Sequence, residues 1–281
     1  PGDPLLDPRI SSHPDLVVTI VDNNLIIDEG ASPRLFAQLD ALELPYVRSS
    51  QPLKNEYPYD IAYNAVVTKY HLIHNLAYTN PLILQHCKNS GKTLVNVKQG
   101  YGKCSTVLLD DRHLISSDSG ICRSVRDLAD ISILPVQPGF VELEGFDYGF
   151  LGGCSGVIDD TVVFHGDLSR HPDFHKIKEF IKAAGKKLLY FTDFPLRDIG
   201  SILVYQADDT KSKGSETTEY KKHVNIPIFI SHEGCPNDCV FCNQRKITAK
   251  TQAMSIDEVK EQIKSYCSTL DQETFTELAY F

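Results

Sequence analysis

Apolar and polar positions follow a pattern that recurs four times between residues 16 and 195. Each occurrence opens with two short apolar stretches joined by a polar turn, which together predict a β-hairpin. Asp22-Asn23-Asn24 and Asp159-Asp160 are such turns, and hairpin turns favour Asp and Asn. The predicted strand pairs are 16–21 with 25–27, 64–67 with 71–74, 105–109 with 113–115, and 155–158 with 161–165.

A helical stretch and a further apolar strand follow each hairpin. The predicted helices are Pro33–Leu42, Pro81–Asn89, Ser124–Ala129 and Phe174–Ala184, and the predicted strands are 45–47, 93–97, 131–134 and 188–191. A ββαβ unit that recurs about every 40–50 residues indicates a repeat architecture. We expect 198–204 to add strands of a fifth unit, together with residues near the N-terminus.

Repeated ββαβ units of this size resemble the pentein, or guanidine-modifying enzyme, fold. This fold is a five-bladed α/β propeller that includes arginine deiminases and amidinotransferases, and the resemblance covers residues 10–205. It implies a nucleophilic Cys that attacks the guanidinium carbon, a His that transfers protons and carboxylates that hold the cation. Cys104, in Gly-Lys-Cys-Ser-Thr, resembles the nucleophile loop of that family, and Cys154, in Gly-Gly-Cys-Ser-Gly, is a second version of it.

His165 is the candidate catalytic base, and further acid or base candidates at strand ends are His74, Asp118 and Asp167. The sequence departs from the pentein pattern, because that family places its nucleophile near the C-terminal end of the domain and residues 193–204 contain no Cys. Three alternatives therefore stay open. The cysteines are small buried residues, the histidines are hydrogen-bonded turn residues, or the domain only binds its ligand.

Three cysteines close together form the most specific motif of the chain. Polar residues 206–222 predict a linker, and the apolar run 224–231 predicts a strand that leads into Cys235, Cys239 and Cys242. A capping-box-like start at Ser255 predicts a helix, and 277–281 predicts the next strand. The C-x3-C-x2-C spacing lets three thiolates bind three irons of a cubane, so that the fourth iron has no protein ligand.

The residues from Cys235 to Ile247 are similar to the radical S-adenosylmethionine (SAM) superfamily, above all to the branch of the elongator catalytic subunit and the oxygen-independent coproporphyrinogen oxidases. The resemblance implies a [4Fe–4S] cluster, SAM with Phe241 near its adenine, and cleavage to a 5′-deoxyadenosyl radical. It also implies a small-molecule or tRNA substrate and a reductant such as ferredoxin or flavodoxin. The alternatives are a zinc site made by His232 with the same cysteines, or cysteines that bind no metal.

The expected organisation is a pentein-like domain at 1–205, a linker at 206–222 and the first βα units of a radical SAM (β/α) barrel at 223–281. Such barrels take about 200 residues, so we expect the second domain to be incomplete here. Whether this chain is an enzyme by itself is left open.

Charge, hydrophobicity and cysteine content limit the partners and the cellular compartment expected for the protein. A net charge of −9 argues against nonspecific nucleic-acid binding. No apolar run approaches the roughly 20 residues that span a bilayer, so no membrane partner is expected. Eight scattered or clustered cysteines in 281 residues do not suggest a disulfide scaffold, which favours a reducing cytoplasm.

Overall fold

The computed structural model describes residues 5–50 and 53–205, and the backbone of two strands at 223–228 and 275–280. It divides into two compact units, Pro1–Asp208 and Asp209–Phe281. The described part of the first unit contains four three-stranded sheets, and that of the second contains one two-stranded sheet.

The four predicted ββαβ repeats are confirmed. The strands of the first unit are β1 (Val18–Val21), β2 (Asn24–Asp28), β3 (Tyr46–Ser49), β4 (Val66–Val67), β5 (His71–His74), β6 (Thr93–Asn96), β7 (Thr106–Leu108), β8 (His113–Ser116), β9 (Ser132–Pro135), β10 (Ser155–Ile158), β11 (Thr161–Phe164) and β12 (Lys187–Tyr190). Its α-helices are α1 (Pro33–Ala41), α2 (Pro81–Asn89), α3 (Ser119–Arg126) and α4 (Phe174–Ala183).

All four sheets share one topology. In each, the first two strands are antiparallel and the third pairs in parallel with the second. A parallel third strand requires a crossover, which the helix of each repeat supplies. In the first hairpin, Asp22 and Asn23 have φ of 47° and 62°, the left-handed geometry of the tight turns that join twisted strands.

The first strands of the four repeats surround a common axis. β1, β4, β7 and β10 are edge strands of their sheets, and together with residues 202–204 they line a cavity of about 390 Å³. The second strands lie in the middle of the sheets and carry fully buried aliphatic side chains such as Ile26, Leu72 and Leu114. Each such side chain contributes about 1.5–3 kcal/mol by burial. They belong to clusters that include helix residues such as Phe36 and Ile121, so the core joins the sheets to their helices.

Irregular segments join the fourth repeat to the first. Asp15 donates its backbone N–H to Gly200 O at 3.3 Å, and Ser201 and Ile202 donate theirs to Gly153 O and Ser155 O at 2.7 and 2.9 Å. The strands predicted at 198–204 do not form, because Gly200 and Ser201 adopt left-handed φ angles of +76° and +67°, which interrupt an extended backbone.

The third helix begins five residues before its predicted start. The side chain of Asp118 accepts the backbone N–H of Ile121 at 2.7 Å and caps the helix. Because the helix begins with Ser119 and Gly120, its first residues show no apolar periodicity. Asp118 was the available signal, since Asp is a favoured N-cap residue.

The second unit contributes two parallel strands, β13 (His223–Ile228) and β14 (Phe275–Tyr280), with His223 opposite Phe275. They agree with the strands predicted at 224–231 and 277–281. The predicted linker, helix and cysteine loop, with Cys235, Cys239, Phe241 and Cys242, lie outside the described residues. Within the described ranges, no helix has the length and apolarity to cross a membrane.

Replacing Asp118 by Ala should lower the free energy of unfolding by about 1 kcal/mol, because the first turn of α3 loses its cap. Asp127, exposed at the C-terminal end of the same helix, is the matched control. Its replacement by Ala should change stability by less than about 0.5 kcal/mol. Equal losses in urea denaturation would show that the cap does not stabilise α3.

Candidate active site at Cys104

Cys104 lies just before β7 and is held by Asn64 of the second repeat. The side-chain oxygen of Asn64 accepts the backbone N–H groups of Lys103 and Cys104 at 2.9 and 3.1 Å. Its amide nitrogen donates to Cys104 Sγ at 3.2 Å. One buried amide therefore fixes both the loop and the direction of the thiol.

His13 and Asp198 lie beside this thiol. The potential ligand atoms of His13, Cys104 and Asp198 all lie within 4.8 Å of one another, and the three residues are buried. His13 Nδ1 is 3.8 Å from Asp198 Oδ1. The backbone N–H groups of Phe150 and Gly200 donate to the Asp198 carboxylate at 2.9 and 3.0 Å. A thiolate, an imidazole and a carboxylate also form a donor set that suits zinc.

Asp15 is the second carboxylate at the thiol. Cys104 Sγ donates to Asp15 Oδ2 at 3.0 Å, and the Ser201 hydroxyl donates to the same oxygen at 2.6 Å. The other oxygen, Oδ1, is buried without a hydrogen-bond partner among the described residues. Asp15 is not among the residues that line the neighbouring cavity, so its charge acts on the site through the Cys104 thiol.

Burial and negative charge keep the thiol protonated. Burial raises the pKa of Cys104 well above its ordinary value, and the charges of Asp15 and Asp198 raise it further. Burial and the charge of Asp15 also raise the pKa of Asp198. A cation placed between the two carboxylates would have the opposite effect and favour the thiolate.

His13, Cys104 and Asp198 line a cavity of about 300 Å³ that is mainly apolar. The lining residues are Ile10, His13, Leu16, Tyr101, Cys104, Leu143, Phe146, Asp147, Tyr148, Phe150 and Asp198. Four of these are aromatic, and the described lining contains no Lys or Arg. The cavity therefore suits a cation, since carboxylates and aromatic faces both attract positive charge.

Two glycines make room for this arrangement. A Cβ on Gly153 would lie 2.0 Å from Asp198 Oδ1, and one on Gly152 would lie 2.6 Å from the carbonyl oxygen of Cys104. Only glycine permits such close approach. The sequence predicts a second nucleophile loop at Gly152-Gly153-Cys154. In the structure, the two glycines leave the space in which Asp198 approaches Cys104.

The structure does not bring the three sequence-predicted catalytic residues together. Cys154 is buried and its thiol donates to Leu151 O at 3.1 Å. It does not line the cavity at Cys104. The ring of His165 is half-buried and contacts Phe194, with centroids 4.8 Å apart. Among the described groups, it is His13 that accompanies Cys104.

The other strand-end candidates make local structural contacts. Both ring nitrogens of His74 are engaged, at 2.7 Å from Thr79 Oγ1 and 2.9 Å from Gly100 O, and burial lowers its pKa to about 4. Asp118 caps α3. Asp167 accepts the N–H of Ser169 at 3.0 Å in a short turn. These contacts fit the alternative of hydrogen-bonded turn residues.

Sequence reasoning missed His13, Asp15 and Asp198 as site residues, because all three lie outside the four repeats. The available signal was the expectation that 198–204 and the N-terminal residues meet in one place. Combined with His13-Pro14-Asp15 just before the first hairpin, it could have placed a His and two carboxylates beside the axis.

Residues 2–203 match the profile of a family described as "Family of unknown function (DUF6873)". The chain belongs to this family. The family region covers the four repeats and Cys104, and it ends before the cysteine triplet. No curated protein matches the chain at a significant level.

Several solved structures are similar to the chain. A DDAH from Pseudomonas aeruginosa complexed with citrulline is 13% identical over 66% of this chain and 71% of that chain, with a TM-score of 0.43. An amidinotransferase of the saxitoxin biosynthetic pathway from Microseira wollei is 11% identical over 70% and 72%, with a TM-score of 0.41. An agmatine deiminase from C. jejuni is 9% identical over 60% of each chain, with a TM-score of 0.41. Likeness of this degree carries no functional argument.

Iodoacetamide, a small neutral alkylating agent, should modify Cys104 in preference to Cys154, because only Cys104 lines the cavity. The rate at Cys104 should still rise at about pH 9, where an ordinary thiol levels off, because burial and two carboxylates raise its pKa. Peptide mass mapping across a pH series measures both rates, with a cysteine-containing peptide in the same tube as control. The assignment would be contradicted if the rate at Cys104 levelled off at a lower pH than the rate of the control peptide. Faster modification of Cys154 than of Cys104 would also contradict it.

Proposed function

We propose that the family domain acts on a cationic guanidino compound, with Cys104 as the nucleophile. The observation that supports this most directly is the convergence of the Cys104 thiol, the His13 imidazole and the Asp198 carboxylate at a mainly apolar cavity of about 300 Å³, with a second carboxylate, Asp15, bonded to the thiol. Guanidine chemistry by covalent catalysis needs these groups, because the cation must be held while a nucleophile reaches its carbon.

Binding and activation are coupled in this proposal. A guanidinium donates several N–H groups, and the carboxylate of Asp198, which lines the cavity, would accept them. Asp15 would act through its charge, because it is bonded to the thiol and does not line the cavity. The positive charge of the guanidinium would offset the carboxylate charges that raise the pKa of Cys104. The thiolate would therefore form when the substrate is bound, and the resting thiol would stay protonated.

In the proposed reaction, Cys104 Sγ forms a bond to the guanidinium carbon and one C–N bond breaks. His13 takes the proton of the Cys104 thiol and donates it to the departing amine or ammonia, and the amidino group stays on sulfur. Attack by water then releases a urea and restores the thiol, whereas attack by an amine transfers the amidine. Asp198, 3.8 Å from His13 Nδ1, would stabilise the charged imidazole.

Cys154 and His165 have structural roles in this proposal. Cys154 fills space next to the Gly152-Gly153 pair, and His165 packs on Phe194. The binding-module alternative shares the same cavity but requires no reaction at Cys104, so variants of this residue separate the two.

The protein should convert at least one of agmatine, L-arginine and guanidinoacetate. The assay measures the release of ammonia, a urea or an amine. Cys104→Ala should abolish turnover, and His13→Ala should lower kcat by about 10²–10⁴-fold. Cys154→Ala is the matched control and should retain turnover. Inactive wild-type protein, or an active Cys104→Ala variant, would exclude this reaction.

We also propose that Cys235, Cys239 and Cys242 hold a [4Fe–4S] cluster that binds SAM. The observation in favour is the C-x3-C-x2-C spacing between two strands that pair in parallel, β13 and β14. Three thiolates suit a cluster whose fourth iron takes a non-protein ligand. When bound, the cluster would supply the electron that cleaves SAM. The four described cysteines of the first unit are free thiols, which favours a reducing compartment, and the cytoplasm is our expectation.

Anaerobic reconstitution of the full chain should give about four iron and four sulfide per protein, with the visible absorbance of a [4Fe–4S] cluster. Replacing the three cysteines together by Ala should abolish iron binding. Cys267→Ala, outside the motif, is the control and should leave it intact. Stoichiometric zinc in place of iron in wild-type protein would favour the His232 zinc site instead.

A further inference from the structure

The axial cavity of the first unit is separate from the cavity at Cys104. Lys103 lines the axial cavity, and its neighbour Cys104 lines the other one. Two successive residues of one loop therefore serve two cavities. Because the site proposed for guanidines lies entirely at the Cys104 cavity, the axial cavity needs its own explanation.

Lys103 is a half-buried cation that has no ionic partner in the described part of the chain. No carboxylate there lies within 4.0 Å of its Nζ, and no hydrogen bond from its side chain is present. Buried or half-buried ammonium groups are normally paired. The unpaired charge is thus a feature that a ligand could satisfy.

The other charged groups at this cavity are already engaged. Asp22 pairs with Lys92 at 2.5 Å, and Asp111 accepts the backbone N–H of Lys69 at 2.7 Å. Lys69 is exposed, with its Nζ 5.6 Å from the centroid of the Tyr70 ring. Lys69 has no ion pair among the described residues either, but it is exposed to solvent, which weakens a charge pair made there. Lys103 is the less exposed of these two lining cations, and an anion can pair with it without breaking an existing ion pair.

The walls of the cavity are mainly aliphatic. They comprise Val18, Ile20, Val67, Leu108, Val157 and Leu203, from all four first strands and the closing segment. As edge strands, the four first strands also present some unpaired backbone groups to the axis. An apolar chain fits such walls, and a volume of about 390 Å³ is ample for a ligand of about ten heavy atoms.

We propose that the axial cavity binds a small monoanion with an apolar body, its carboxylate paired with Lys103. Lys103 supplies the half-buried positive charge, and the carboxylates of Asp22 and Asp111 in the lining disfavour a ligand with more than one negative charge. The ligand is opposite in charge to the one proposed for the Cys104 cavity, so the two sites differ in chemistry as well as in position.

Pairing of a carboxylate with Lys103 also makes binding depend on pH. Burial lowers the pKa of Lys103, against the attraction of Asp15 and other acidic groups on the axis. An anion next to the ammonium would raise that pKa again. Binding should therefore take up protons, and affinity should fall as the pH rises through the pKa of Lys103 in the free protein.

Octanoate is the probe, and calorimetric titration into the full chain measures its binding. Lys103→Met, which keeps the aliphatic stem, should weaken binding at least about tenfold, the effect of losing one charged hydrogen bond. Lys103→Arg should retain binding, as should Lys182→Met on the exposed face of α4. Octanol, the neutral analogue, should bind at least about tenfold more weakly than octanoate. No octanoate binding, equal binding of octanol, or an unaffected folded Lys103→Met variant would overturn the proposal.

Wild-type protein provides a second test that needs no variant to fold. Limited acetylation with a lysine-specific reagent, followed by peptide mass mapping, should show Lys103 protected by octanoate and Lys182 unprotected. Equal modification of Lys103 with and without saturating octanoate would overturn the assignment. Neither measurement depends on guanidine turnover, so the two proposals stand or fall separately.

Discussion

The buried hydrogen bonds of Asp15 hold the two ends of the first unit to its centre. Its carboxylate accepts the Cys104 thiol from the third repeat and the Ser201 hydroxyl from the closing segment, and its backbone N–H reaches Gly200. Four ββαβ repeats leave a gap between the last and the first, and these bonds close it. The same residue that completes the ring also defines the environment of the thiol.

This closure explains why the candidate site lies where it does. The hairpin and the parallel third strand of each repeat pair within one sheet, so the repeat pattern alone provides no reason for polar side chains at the axis. The closing segments have no such ladder, and they bring His13, Asp15 and Asp198 to Cys104. Asp198 can approach only because Gly153 has no side chain. Closing the ring and building the site therefore use the same few contacts.

Periodicity predicted the repeats well, because each ββαβ unit is local in sequence and its turns carry their own chemistry. The start of helix α3 was predicted five residues too late, because the residues that follow its N-cap, Asp118, are polar. Cys104 could be selected from its loop, but its partners could not, because they come from residues about 90 positions away on either side. Contacts of that separation depend on how the ring closes, and no local pattern encodes closure. His165 was a candidate because it follows the second strand of its repeat. That position is local in sequence and does not indicate which side chains of other repeats lie near it.

The two cavities influence each other through charge. Asp15 and Asp198 raise the pKa of Cys104 and also support the positive charge on Lys103. A cation bound at the carboxylates would withdraw part of that support from Lys103, whereas an anion at Lys103 would restore it. Under both proposals, the occupants of the two cavities therefore favour each other, since each supplies the charge that the other removes. Such coupling needs no conformational change, because successive residues of one loop, held by Asn64, carry the two responding groups.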